Sequence, residues 1–281
     1  MPAGYAHYCF GRDVYFQLPK AQQNLIRKNI HIFDIAVHGP DLTFYYLPEN
    51  RNGIVETGNS IHNAPGLDFF KPASAVLRNS GYPDKDRAFI YGYLCHFALD
   101  MTCHPYVNQR VLDCNIPHFK TEAEFDRYMM ELDHVYNPAG KSMVTHIYPS
   151  IGAAKVMEKY YPNLNYKQLY TCMHSMIFML NFLTMPNKLV REFLFPLFDL
   201  VGARSFKDLV IPFTPDPLCE ESNIELHDLY KKAVPLAVKL INEFDAIASG
   251  ALPWTNEYLV SFDPPNLKDG EYEPGIIEPV E

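Results

Sequence analysis

The chain has 281 residues, 48% of them hydrophobic and 14% aromatic, enough apolar volume for a substantial core. Its 24 basic and 33 acidic residues give a formal net charge of −9 with no Lys/Arg-rich run, which argues against stable nucleic-acid binding. Residues 1–18 lack a secretory or transit pattern, the six cysteines form no C-x-x-C pair, and the longest apolar run, 176–185, is broken by Asn181, so the expectation is a cytoplasmic protein with free thiols and no transmembrane segment.

Apolar residues recur at helical spacing and strict alternation is rare, which predicts an all-α protein with a single multi-helical domain over 1–262. The first predicted helix spans 20–37 and stops at Gly39-Pro40, leaving Asp41 just beyond the stop. A second spans 69–79. A third starts at Pro83-Asp84 and is expected to end before Pro105. Further helices are predicted over 117–136, 151–160, 166–183, 188–201 and 224–248, the last bent at Pro235. From Asp263 to Glu281 the chain turns acidic and Pro-rich, the composition of an extended or disordered tail.

On the third predicted helix His96, Asp100 and His104 stand four residues apart, which places all three within about 80° of one face. His and Asp together form a donor set that suits zinc. The spacing recurs at His118, Glu122 and Asp126, on a helix that Pro117 would open with Asn115 as its cap. A competing T-x-x-E capping box, Thr121 to Glu124, would start that helix later and leave His118 before it. His7, Asp41 and His62 fit the same picture from helix ends or loops. A lone histidine is more often an ordinary hydrogen-bonded residue, and His31, His38, His146, His174 and His227, without partners at ligand spacing, read that way, with His38 beside the Asp41 turn the nearest exception. Asp100 is different, because a carboxylate between Leu99 and Met101 in an apolar helix needs a partner, and a metal supplies one. Asp126 or His134 is expected to orient a ligand by hydrogen bonding, and Lys85 and Arg87 precede the ligand helix in no readable direction.

The series H-x-x-x-D with a third histidine nearby, then H-x-x-x-E fourteen residues further on, resembles the zinc-dependent phospholipase C family, related to the S1/P1-type zinc nucleases. The fragments Gly39-Pro40-Asp41 and His104-Pro105-Tyr106 are also similar to it, and the resemblance covers residues 2–131. It implies the multi-helical phospholipase C/P1 nuclease fold and two or three zinc ions. His62, His96 and Asp100 would bind one ion with Asp41 bridging or adjacent, and His104, His118 and Glu122 a second. Asp100 would bridge to a third, held by His7 and by the amino group of the first residue. The only tryptophan is Trp254, so that last role would fall to Pro2 after loss of Met1. Three residues separate Asp100 from His104 where the family pattern has five.

The implied reaction is phosphodiester hydrolysis by metal-activated water, with Asp41 as catalytic base or orienter, on a phosphate-ester small molecule or a phospholipid head group. The alternatives are an S1/P1-like nuclease or nucleotidase, and a zinc-binding scaffold without catalysis. H-E-x-x-H and G-x-S-x-G motifs are absent, and Gly140-Lys141-Ser142 lacks the earlier glycine of a phosphate loop because position 135 is Val135.

Overall fold

Every residue from 88 to 100 is buried, so this stretch, covered on all sides, forms the axis around which the remaining helices pack. In a computed structural model that describes residues 4–46, 53–200 and 205–264, it belongs to helix α6 (Asp84–Cys114). Before α6 come α1 (Gly4–Gln17), α2 (Lys20–Lys28), α3 (Ile30–Ala36), a 3₁₀ helix (Gly39–Tyr45), α4 (Ile54–Asn63) and α5 (Gly66–Asn79). After it come α7 (His118–Leu132), α8 (Ile151–Met157), α9 (Tyr166–Leu183), α10 (Lys188–Leu200), α11 (Ser205–Asp208), α12 (Glu220–Ser249) and a 3₁₀ helix (Asn256–Leu259). Helix α6 packs against α1, α3, α7 and α12. The described residues contain no strand, only an isolated bridge between Pro65 and Ser261, and no helix long and apolar enough to cross a membrane.

The all-α expectation is met, with local corrections. The helix predicted over 20–37 is two, because the Asn29 side chain takes the Leu25 carbonyl at 2.9 Å while its N–H turns to Ile26, breaking the ladder. The third predicted helix does not end before Pro105. It continues to Cys114, since burial along its length outweighs the one backbone hydrogen bond that proline removes. Neither α1 nor α4 was predicted. In α1 the N–H groups of Tyr5 and Ala6 are satisfied at 3.1 and 2.8 Å by Asp126 on α7, a cap supplied from more than a hundred residues away.

Helix α7 begins at His118 with Pro117 before it, whereas Asn115, at φ 53°, closes α6 instead of capping α7. The competing capping box does not form, because Glu124 accepts the Asp216 N–H at 3.1 Å. Pro2 and Val201 lie outside the described residues, as does the acidic segment apart from Asp263 and Pro264.

Two glycines set the geometry around the ligand helix. A side chain at Gly92 would come within 2.6 Å of the Phe33 carbonyl, so its absence lets α3 approach α6 closely. Gly39 has φ +50°, and a Cβ there would lie 2.4 Å from the His96 ring, so the turn that carries Asp41 can rest directly on that imidazole.

Candidate metal centre

Helix α6 directs His96, Asp100 and His104 to one side, where α1, α4, α7 and the 3₁₀ turn after α3 bring His7, His62, His118, Glu122 and Asp41 against them. His62 Nε2 lies 3.0 Å from Asp41 Oδ1 and 3.6 Å from Asp100 Oδ2, and His96 Nε2 lies 2.9 Å from Asp100 Oδ2. His7 Nε2 is 3.2 Å from Asp100 Oδ1, His104 Nε2 is 3.6 Å from Glu122 Oε1, and His118 Nε2 is 3.1 Å from the same oxygen. Three groups result, each with its donor atoms within 4.8 Å of one another: His7–His96–Asp100, Asp41–His62–His96, and His104–His118–Glu122. Donor atoms around a tetrahedral zinc with bonds of about 2.0–2.2 Å stand about 3.3 Å apart, close to these separations.

The orientation of the rings is more telling than the distances. His62 Nδ1 donates to the Gly58 carbonyl at 3.0 Å, His96 Nδ1 to the Val37 carbonyl at 3.3 Å and His104 Nδ1 to the Phe262 carbonyl at 2.8 Å. A carbonyl can only accept, so each Nδ1 carries a hydrogen and Nε2 is the nitrogen left for coordination. Those three Nε2 atoms, with Asp41 Oδ1, Asp100 Oδ2 and Glu122 Oε2, are buried and without a hydrogen-bond partner, so even the pairs at ion-pair distance face one another at angles that form no hydrogen bond. Buried donors aimed at shared points and unsatisfied by one another fit a set of cations between them.

The electrostatics agree. Burial alone would strip the protons from His62 and His104, yet the facing carboxylates of Asp100 with Asp41, and of Asp100 with Glu122, raise them to about 9 and about 10. Burial opposes ionisation of Asp100 and Glu122 as well, and neighbouring histidines outweigh it and hold both below the ordinary carboxylate range, where Asp41 also lies. The cluster thus balances its negative charge with protons that a metal would displace.

All described residues expected as ligands are brought together, and only Pro2 falls outside the described chain. Asp126 orients no histidine and instead holds the start of α1, which carries His7. His134 follows α7 at φ 57°, exposed, and orients nothing. Arg87 is turned to Asp245 and Tyr91, and Lys85 is exposed. His38 and His146, which lack partners at ligand spacing, are core histidines that share a hydrogen bond between their Nε2 atoms at 2.8 Å, with Tyr8 stacked on His146. A further grouping of Glu124, Asp216 and Cys219 already holds the Lys120 ammonium on Asp216.

Missing from the sequence reading were Phe262, whose carbonyl fixes His104, and the wall of the adjoining cleft. That cleft, about 560 Å³, is lined by His62 and His118 on the cluster side, by Phe44, Tyr45, Tyr46 and Phe119, by Asp263, and by Met179, Leu183, Phe206 and Leu209 from α9 and α11 and the residue after it. Phe119 was within reach of sequence reasoning as the neighbour of a ligand; the rest comes from remote segments.

A family model described as zinc dependent phospholipase C matches residues 6–178, a span that includes every grouped ligand from His7 to Glu122. No curated protein and no solved structure matches the chain.

Proposed function

Because this chain belongs to the zinc-dependent phospholipase C family, we propose that it is a phosphodiester hydrolase whose reaction takes place beside the His–Asp–Glu cluster, with two or three zinc ions as cofactors. The observation that carries the reading is the set of three histidines whose Nδ1 atoms are committed to carbonyls while their buried Nε2 atoms face carboxylates without hydrogen-bonding to them. Asp41, His62, His96 and Asp100 would hold one ion, His104, His118 and Glu122 a second, and His7 with Asp100 a third. Bound zinc supplies Lewis acidity toward phosphoryl oxygens and acidifies water.

The residues of the chain do the rest. Asp41, buried and held ionised, orients the attacking water and accepts its proton, and the 3₁₀ turn resting on His96 keeps that carboxylate in place. The aromatic and aliphatic wall of the cleft receives the organic substituent and excludes solvent. A small phosphodiester with an apolar substituent, such as a phospholipid, suits this wall better than a polynucleotide, which the net charge of −9 disfavours.

The test is metal analysis of the purified protein, followed by assay of the zinc-loaded form on bis(p-nitrophenyl) phosphate, a short-chain phosphatidylcholine and a dinucleotide. Hydrolysis of the first two supports the reading, and preference for the dinucleotide moves it to a nuclease. Bound zinc with no turnover of any of the three would leave a scaffold.

A further inference from the structure

Residues 260–264 lie beyond the matched part of the chain and are tied to both halves of the cluster. The Val260 carbonyl accepts the Gly66 N–H at 2.8 Å, and the Asp263 N–H donates to the His62 carbonyl at 3.1 Å, which fastens the segment to the end of α4 and the start of α5. Between them the Phe262 carbonyl takes the His104 Nδ1–H at 2.8 Å. The Phe262 ring is fully buried and touches Phe97, His62 and His96 with centroids 4.7, 5.9 and 6.0 Å away.

The side chain of Asp263 is also held. Asn108 Nδ2 donates to Asp263 Oδ1 at 2.7 Å and to the Pro264 carbonyl at 3.4 Å. That arrangement leaves Oδ1 3.7 Å from His104 Nδ1, whereas the opposite nitrogen of the ring, Nε2, faces Glu122. Asp100 Oδ2 is 3.8 Å from the same Nδ1, but its charge belongs to the ligand set, which makes Asp263 the carboxylate available to act on the ring from behind. A neutral carbonyl fixes a tautomer; an added carboxylate also strengthens the nitrogen on the far side of the imidazole as a donor.

We propose that Asp263 is a positioning residue for the His104–His118–Glu122 metal position, with Asn108 fixing its carboxylate behind His104. The inference rests on the zinc reading above. Asp263→Asn keeps the shape and can still accept from Asn108, so it removes charge alone. In a competition titration of the full chain against a chromogenic chelator, Asp263→Asn weakens one zinc by about 10–100-fold and leaves the others as in the wild type. The helical circular dichroism of the zinc-free protein is unchanged, Asp263→Glu recovers most of the lost affinity, and the cobalt-substituted variant shows an altered visible spectrum for one ion. Asn108→Ala weakens the same ion.

Wild-type affinity for every zinc in Asp263→Asn overturns the proposal, as does equal weakening of all ions together with a loss of helical content in the zinc-free protein. A wild-type chain that takes up no zinc overturns the zinc reading itself, and this inference with it, before any variant is compared.

Discussion

His62 Nε2 stands 3.0 Å from Asp41 Oδ1, although one residue closes α4 and the other sits in the 3₁₀ turn that follows α3. Both are buried, and Asp41 is held ionised. Asp41→Asn keeps the size and one oxygen donor while removing the base. Turnover of a phosphodiester is expected to fall by about 100-fold or more when zinc is supplied in excess, since the same substitution also weakens one metal position. Full activity of a zinc-loaded Asp41→Asn protein would rule out the role assigned to this carboxylate.

Zinc uptake is expected to release protons. His62 and His104 titrate at about 9 and about 10 without metal, so near neutral pH both are protonated and zinc must displace those protons. Apparent zinc affinity therefore rises with pH until about 9–10, and calorimetry in buffers of different ionisation enthalpy detects the release. The same shifts bear on the zinc-free fold. Both pKa values lie above the ordinary histidine value, so their stabilisation is complete below 6.5 and is lost as pH rises through about 9 and about 10. Denaturant midpoints of the zinc-free protein should fall over that interval, and those of the zinc-loaded protein should not.

The buried His38–His146 pair weakens the fold in acid. Burial, the largest cause for both, pushes His146 down to about 4 and His38 well below its ordinary value. A lowered histidine stabilises above its unfolded pKa of 6.5, and that contribution disappears as pH falls from 6.5 toward about 4. For His146 the loss is roughly 3 kcal/mol. Urea denaturation of the zinc-free wild type and of a His146→Gln variant from pH 7 to 4.5 isolates it by difference, because Asp34, Glu124 and Asp126, which burial raises to about 7, titrate over the same interval in both. An unchanged pH dependence in the variant would contradict the buried neutral pair.

Asp126→Ala removes the acceptor for the Tyr5 and Ala6 N–H groups and leaves both without their partner at the start of α1. An orphaned buried donor costs about 1–3 kcal/mol, so the variant should unfold at clearly lower urea. It should also lose zinc held through His7 in preference to zinc at His118 and Glu122. Unchanged stability together with full zinc content would show that α1 is anchored by other contacts.

The ligands were readable from sequence where the rule that places them is local. His96, Asp100 and His104, and likewise His118 and Glu122, follow as candidates from four-residue spacing on a helix face, and the structure divides them, His96 and Asp100 in one group and His104 with His118 and Glu122 in another. What could not be read depends on remote partners. Helix α1 has no cap of its own because Asp126 provides it, and the His38–His146 pair joins positions 108 residues apart. Pro105 reads locally as a helix breaker, but the burial that sustains α6 around it is tertiary. The composition of 263–281 reads as a tail, whereas hydrogen bonds to His62 and Asn108 fasten Asp263 beside the cluster.

The segment that carries Phe262 and Asp263 has a consequence for folding. His104 takes its tautomer from a residue 158 positions later in the chain, and His7 is held in place through Asp126, about 120 positions after the residues it binds. Contacts of such long range form late, because loop-closure entropy must first be overcome. Helix α6 can present its histidines early, but the nitrogens take their final aim only after α1 and residues 260–264 have docked. Tight zinc uptake during refolding therefore reports completion of the fold and lags behind the recovery of helical circular dichroism.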